Sequence, residues 1–302
     1  MPRHRGICGG LVRLPASAMV SGRATWFAGM RRGENVTMRH YLAVLCTILA
    51  LGLGSSVAAA QNAPQPTVTK PPAETPMRVL FIGNSLLYTA GGLQTHVHSL
   101  GAADKPPLDL EPGYKSVHIT DATLDQYPLD WLIVPGHLGI AKPFQVVVLA
   151  GKSTDAITDK SREAYRTKVL EFNKIIKEHG AETALYWLPS FVKPNRFADK
   201  DLLKMNESMI VPLANQIGAI VIPVGPAYAE AYHERPELQL QSFDGNHPTV
   251  AGQYLSACVV YATLYGRSPV GNPYNSNGEI DDSTRLFLQK VALDTVNKFF
   301  GR

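Results

Sequence analysis

The chain has 302 residues, of which 45 % are hydrophobic and 18 % charged, a composition that suits a globular protein with a sizeable core. Its formal charge of +4 invites a polyanion-binding reading. Seven of the 29 basic residues (Arg3, Arg5, Arg13, Arg23, Arg31, Arg32, Arg39) and one of the 25 acidic residues (Glu34) precede Gln61, however, leaving 22 basic against 24 acidic residues and a net charge of −2 from there on. That removes the argument, and no nucleic-acid partner is expected.

Residues 1–37 show no hydrophobic periodicity and read as an upstream extension or a disordered segment, with Met38 as an alternative translation start. Residues 38–60 have the form of a secretory signal: a basic start at Met38-Arg39-His40, an apolar run from Tyr41 to Gly54, and small residues at Ala58-Ala59-Ala60 for cleavage. The run is too short, and too soon followed by a cleavage site, for a permanent membrane span. Ala43-Val44-Leu45 lacks the small residue that a lipoprotein signal places just before its cysteine, here Cys46. A periplasmic or secreted protein is expected. Cys8 and Cys46 precede the cleavage site, so Cys258 stays single, forms no internal disulfide, and reads as a small buried hydrophobe.

Residues 61–76 are rich in Pro, Thr and Ala and read as a flexible linker, with one domain over 77–302. In chain order that domain shows an apolar run at 78–82, a helix near 92–102, a short strand at 116–120 and a run at 144–149. A long amphipathic helix at 159–179, a strand at 183–188, a helix at 200–216 and a strand at 219–224 follow. After a connecting helix come two more, at 249–265 and 281–300. The segment 124–143, with three prolines, reads as a broken helix or a lid. Runs such as Val146-Val147-Val148-Leu149 suit strands buried on both faces. Their alternation with helices predicts an α/β fold, one parallel sheet covered by helices on both sides. Ligands of such sheets gather beyond the carboxyl ends of the strands.

Two segments placed there carry chemistry. Gly83-Asn84-Ser85 follows the first strand, and Asp244-Gly245-Asn246-His247-Pro248 directly precedes a helix. A serine hydroxyl needs a base to become nucleophilic, a histidine suits that task, and a carboxylate can orient the imidazole. Ser85, His247 and Asp244 form such a set; equally, a serine after a strand can be a turn or cap, and an Asp-Gly-Asn-His loop can serve capping alone. Gly151-Lys152-Ser153 lacks the earlier glycine of a phosphate-binding loop, where Val146 stands. The histidines outside this loop lack partners at ligand spacing, so no metal and no cofactor are expected.

The run Val79-Leu80-Phe81-Ile82-Gly83-Asn84-Ser85-Leu86 resembles the first block of the SGNH/GDSL hydrolase superfamily, in a Gly-Asn-Ser variant. Asp244 to Pro248, with Gly252, Tyr254, Leu255, Ala257, Tyr261, Leu264 and Gly266-Arg267-Ser268-Pro269, resembles its last block. The resemblance spans residues 77 to about 270 and implies a three-layer α/β/α sandwich with a five-stranded flavodoxin-like sheet. It further implies an esterase working through an acyl-enzyme, with Ser85 as nucleophile, His247 as base and Asp244 orienting it. Its substrate would be a small-molecule or saccharide-linked acyl ester. The implied oxyanion donors fall at Ser85, Asp121, Ala150 and Gly151. Two of these positions depart from the pattern: Asp121 stands where a glycine is usual, and Ala150 where relatives often carry an amide side chain. Lys152, Ser153 or Thr154 could replace that donor if the loop turns inward. These departures also leave open a member that binds a carbohydrate or envelope ligand without turnover. Asn84, Tyr88 and Trp187 are candidates for the substrate groove, with core packing an equal alternative for Trp187.

Overall fold

The computed structural model describes residues 63–302 apart from 73, 111, 112 and 199; the expected signal at 38–60 and the expected upstream extension at 1–37 lie outside the described residues. Five strands form one all-parallel sheet in the order β2-β1-β3-β4-β5. They are β1 (Val79–Gly83), β2 (Tyr114–His118), β3 (Val146–Leu149), β4 (Glu182–Tyr186) and β5 (Ile220–Ile222). Between and after them run α1 (Ser85–Tyr88), α2 (Leu93–Ala102), α3 (Leu129–Leu132), α4 (Asp159–Glu178), α5 (Leu202–Ile217), α6 (Val224–Glu234), α7 (Val250–Tyr265) and α8 (Asp282–Phe300).

Successive strand side chains point to opposite faces, and each face is apolar. Val79, Phe81, Val146 and Val148 pack with α2, α6, α7 and α8 on one side. Leu80, Ile82, Val147 and Leu149 pack with α3, α4 and α5 on the other. The result is the expected three-layer sandwich. Helix α7 is its most enclosed element: every residue from Gly252 to Tyr265 is buried, as a helix that is hydrophobic all round must be. Cys258 is buried within it.

Three expectations change. Strand β2 lies two residues earlier than the pattern suggested, because an edge strand of half-buried residues carries no continuous apolar run. The 124–143 segment is a broken helix and not a lid. Leu124, Leu129, Leu132 and Ile133 are buried against the sheet, and the Tyr127 hydroxyl ties the ends of β1 and β2 by donating to Gly83 O and accepting from the Ile119 N–H. Residues 63–72 and 74–76 are without helix or strand but lie along the domain. Asn215 binds Thr67 N and Gln65 O, both at 2.8 Å, the Arg302 Nε–H donates to Thr69 O, and the Tyr265 hydroxyl donates to Pro76 O. Asn215, Tyr265 and Arg302 all stand at carboxyl ends of helices, which run back against the strands. The segment therefore crosses the pole beneath the amino ends of the strands. No helix among the described residues is long and apolar enough to cross a membrane.

Candidate active site

Strand β1 is flanked by β2 on one side and β3 on the other, so successive crossovers leave it in opposite directions and open a crevice above its carboxyl end. Ser85 stands there as the first residue of α1. Asn84 caps the turn: its side chain accepts from the Leu86 N–H at 3.3 Å and its amide donates to Gly151 O at 3.0 Å and Ala122 O at 3.4 Å. It is 3 % exposed, so it clips the three loops together and does not line a groove.

A helix of four residues cannot satisfy its own last carbonyls. Gln253, fully buried in α7, does so from outside: its Nε2 donates to Leu86 O, Leu87 O and Thr89 O at 3.0–3.3 Å. Nothing in the sequence singled this residue out. A lone glutamine in an apolar helix looks like a surface position until the tertiary packing is known.

The second component is the loop that enters α7. Asp244 Oδ1 accepts from the Asn246 and His247 backbone N–H groups at 3.0 Å each and from Ser242 Oγ at 3.1 Å. That fixes the turn and leaves Oδ2 to take the hydrogen bond from His247 Nδ1. Gly245 allows the turn: its φ is +66°, and a Cβ there would lie 2.0 Å from Val192 O. Burial opposes ionisation of Asp244, but the bonds from His247, from the two backbone N–H groups and from Ser242 outweigh it, holding the carboxyl down at about 2. With Nδ1 donating to a carboxylate, Nε2 is the free lone pair of a neutral imidazole. Ser85 Oγ stands 2.8 Å from it. Residues 162 positions apart are thus joined in one line, carboxylate to imidazole to hydroxyl.

The candidate oxyanion positions separate. The Ser85 and Asp121 N–H groups make no hydrogen bond among the described residues, and neither does that of Gly151. Ala150 is excluded: its N–H donates to Ile82 O at 2.9 Å inside the sheet, and it has no side-chain donor. Asp121 adopts φ +58°, the left-handed conformation that explains a glycine preference and that an aspartate tolerates. Its carboxylate pairs with Lys152 Nζ at 2.8 Å; the two side chains are 77 % and 28 % exposed. The Lys152 ammonium thus lies on the carboxylate whose own backbone N–H is a candidate oxyanion donor.

That loop is braced from below. The Lys152 backbone N–H donates to Asp155 Oδ2 at 2.7 Å, and Gly151 has no room for a Cβ, which would meet Asp155 Oδ2 and the Tyr165 ring at 2.6 Å. Burial raises the Asp155 carboxyl to about 6, against the opposing effects of the Lys152 N–H and charge. Trp187 takes its core-packing alternative: it is 2 % exposed, packs edge-on against Phe299, and is bonded through its N–H to Ile222 O of β5. Tyr88 stays at the surface, with its hydroxyl 2.9 Å from Thr120 Oγ1. The aromatic that the site loop does expose is Phe243, 92 % accessible and next to Asp244.

No known protein family and no curated protein matches the chain. Solved structures do. A DUF4886 family protein from Bacteroides uniformis superposes with a TM-score of 0.54 at 19 % identity, covering 72 % of this chain and 93 % of that one. A protein from Parabacteroides merdae described as a GDSL-like lipase gives 0.51 at 16 % identity, covering 65 % and 99 %. The acetyl xylan esterase AlAXEase gives 0.50 at 13 % identity, covering 62 % and 99 %. The described domain shares with these proteins its fold, an α/β/α sandwich around a five-stranded parallel sheet.

Proposed function

We propose that this protein is an exported serine esterase that hydrolyses small acyl esters, including saccharide-linked acetyl groups, by a double-displacement reaction. The observation that carries the reading is the hydrogen-bonded line Asp244–His247–Ser85. His247 Nε2 takes the proton as Ser85 Oγ attacks the ester carbonyl; the tetrahedral oxyanion is received by the Ser85 and Asp121 N–H groups with Lys152 nearby. His247 then protonates the leaving alcohol. Water, deprotonated by the same imidazole, releases the acid and restores Ser85.

The alternative, a non-catalytic ligand-binding protein, drew its support from Asp121 and Ala150. The Asp121–Lys152 pair answers the first of these, since a neutralised carboxylate no longer opposes the developing charge. Export rests on the sequence signals at 38–60, and the saccharide on the known acetyl xylan esterase of like fold.

The test is hydrolysis of p-nitrophenyl acetate and of an acetylated sugar by wild type and Ser85→Ala, with fluorophosphonate labelling of Ser85. Turnover and labelling that both vanish in Ser85→Ala support the reading. An inert, unlabelled wild type overturns it. N-terminal sequencing of exported protein checks the expected first residue, Gln61.

A further inference from the structure

Beside the reacting line lies a polar cavity of about 570 Å³, bordered by Lys152, Ser153, Thr154, Asn195, Arg196 and Asn246. Asn246 is the residue before His247, and the cavity also reaches Asp121, so it borders both the histidine loop and the turn that holds a candidate oxyanion donor. The charge of Lys152 is matched by Asp121. Among the described residues no carboxylate pairs with Arg196, whose guanidinium rests 4.6 Å over the Phe197 ring. Stacked in this way, a guanidinium keeps the N–H fork in its plane available for a bidentate acceptor.

The segment holding Arg196 has no regular structure of its own, yet it is fastened to the loop of Asp244 and His247. The Val192 N–H donates to Gly245 O at 2.9 Å, the Asn195 amide to Asp244 O at 3.1 Å, and the Gln241 amide to Ser190 O at 2.8 Å. A ligand held by Arg196 is therefore held in register with the imidazole.

We propose that this cavity is a carboxylate-binding subsite, which selects ester substrates bearing a carboxylate on their acyl or their alcohol part. The inference rests on the esterase reading for its role in turnover, but binding at the subsite stands independently of turnover. Arg196 supplies the bidentate contact, while Asn246 and Ser153 offer neutral hydrogen bonds to the rest of the ligand.

Two pairs of esters locate the carboxylate: mono-p-nitrophenyl succinate against p-nitrophenyl butyrate for the acyl side, and acetylated glucuronic acid against acetylated glucose for the alcohol side. In wild type, one pair shows kcat/KM about tenfold higher for the anionic member, the size expected of a charge-assisted hydrogen bond, and Arg196→Gln removes that preference. Arg196→Lys keeps the charge without the fork and falls between. Wild type that hydrolyses both pairs without preference, or a preference untouched in Arg196→Gln, overturns the subsite and leaves the esterase reading intact. Calorimetric titration of Ser85→Ala with glucuronate and glucose gives the converse separation. Glucuronate binding that Arg196→Gln abolishes supports the subsite even if no ester is turned over; equal affinity for the two sugars overturns it.

Discussion

Replacing Gln253 by leucine removes the donor that holds the serine-bearing turn from behind. The side chain is fully buried and its Nε2 serves three carbonyls, Leu86 O and Leu87 O in buried surroundings and Thr89 O nearer the surface. A buried carbonyl left without a donor costs about 1–3 kcal/mol, and leucine introduces no new partner. Gln253 Oε1 is itself buried and unpartnered, so its removal returns part of that cost. Counting the two buried carbonyls in full and allowing for that return, the loss of stability comes to about 2–4 kcal/mol. The functional effect is separate. Released α1 residues let Ser85 Oγ drift from its 2.8 Å contact with His247 Nε2, and a displacement of about 1 Å can lower the rate on the order of 100-fold. Urea unfolding followed by tryptophan fluorescence measures the first effect, and kcat for p-nitrophenyl acetate the second. A variant within about 0.5 kcal/mol and twofold of wild type in both would refute the clamp; lost stability with unchanged kcat would refute only its role in placing the nucleophile.

Lys152→Met is expected to lower kcat by about 10- to 100-fold with little change in KM, because it leaves the Asp121 carboxylate uncompensated beside a candidate oxyanion donor; Asp121→Asn, which keeps a residue tolerant of positive φ, leaves kcat equal or higher. If the lysine variant retains full kcat, or the asparagine variant loses as much as the lysine one, the electrostatic role is wrong. Asp155 has its folded-state pKa raised to about 6 by burial. The native state thus holds this proton more tightly than the unfolded chain, whose carboxyl titrates near 3.9. The group's stabilising effect is full below about pH 4 and is lost as pH rises through 6, roughly 3 kcal/mol in all. Asp155→Asn should flatten that part of the stability profile, read by urea unfolding between pH 4 and pH 7; an unaltered slope would contradict it. Gly151→Ala pushes a methyl to within 2.6 Å of Asp155 Oδ2 and the Tyr165 ring. It should destabilise by about 1–3 kcal/mol in the same assay, and a neutral result would mean that this loop yields freely.

What the chain reveals before folding follows a physical division. Strands β1 and β3 are legible because burial on both faces demands unbroken apolar runs, and the residues after them are then candidates for the site by topology alone. Ser85 is legible in this way; Asp244 and His247, which precede a helix and follow no strand directly, are legible from their resemblance to a recognisable block. Edge strand β2 was displaced because half-burial leaves no run to read. Ala150 was misplaced, and for Trp187 the core-packing alternative holds, for a shared reason. Each directly follows an apolar strand, but whether such a residue faces the crevice depends on where ladder hydrogen bonding stops and which way the chain turns. Ala150 is still bonded to β1, and Trp187 is still bonded to β5 and buried. Gln253 and the Asp121–Lys152 pair are long-range contacts. Their meaning lies in a partner 164 to 167 positions away in one case, and on a neighbouring loop in the other.

The strap formed by residues 63–76 has a consequence for handling and redesign. Thr69 and Arg302 meet at the pole beneath the strands, with Ser85 at the opposite pole. A short peptide joining the two would close the domain head to tail without crossing the crevice. New ends could then be opened elsewhere in a circular permutant. By the same geometry, a bead or surface coupled at either end presents the Ser85 edge outward, accessible even to a bulky polymeric ester.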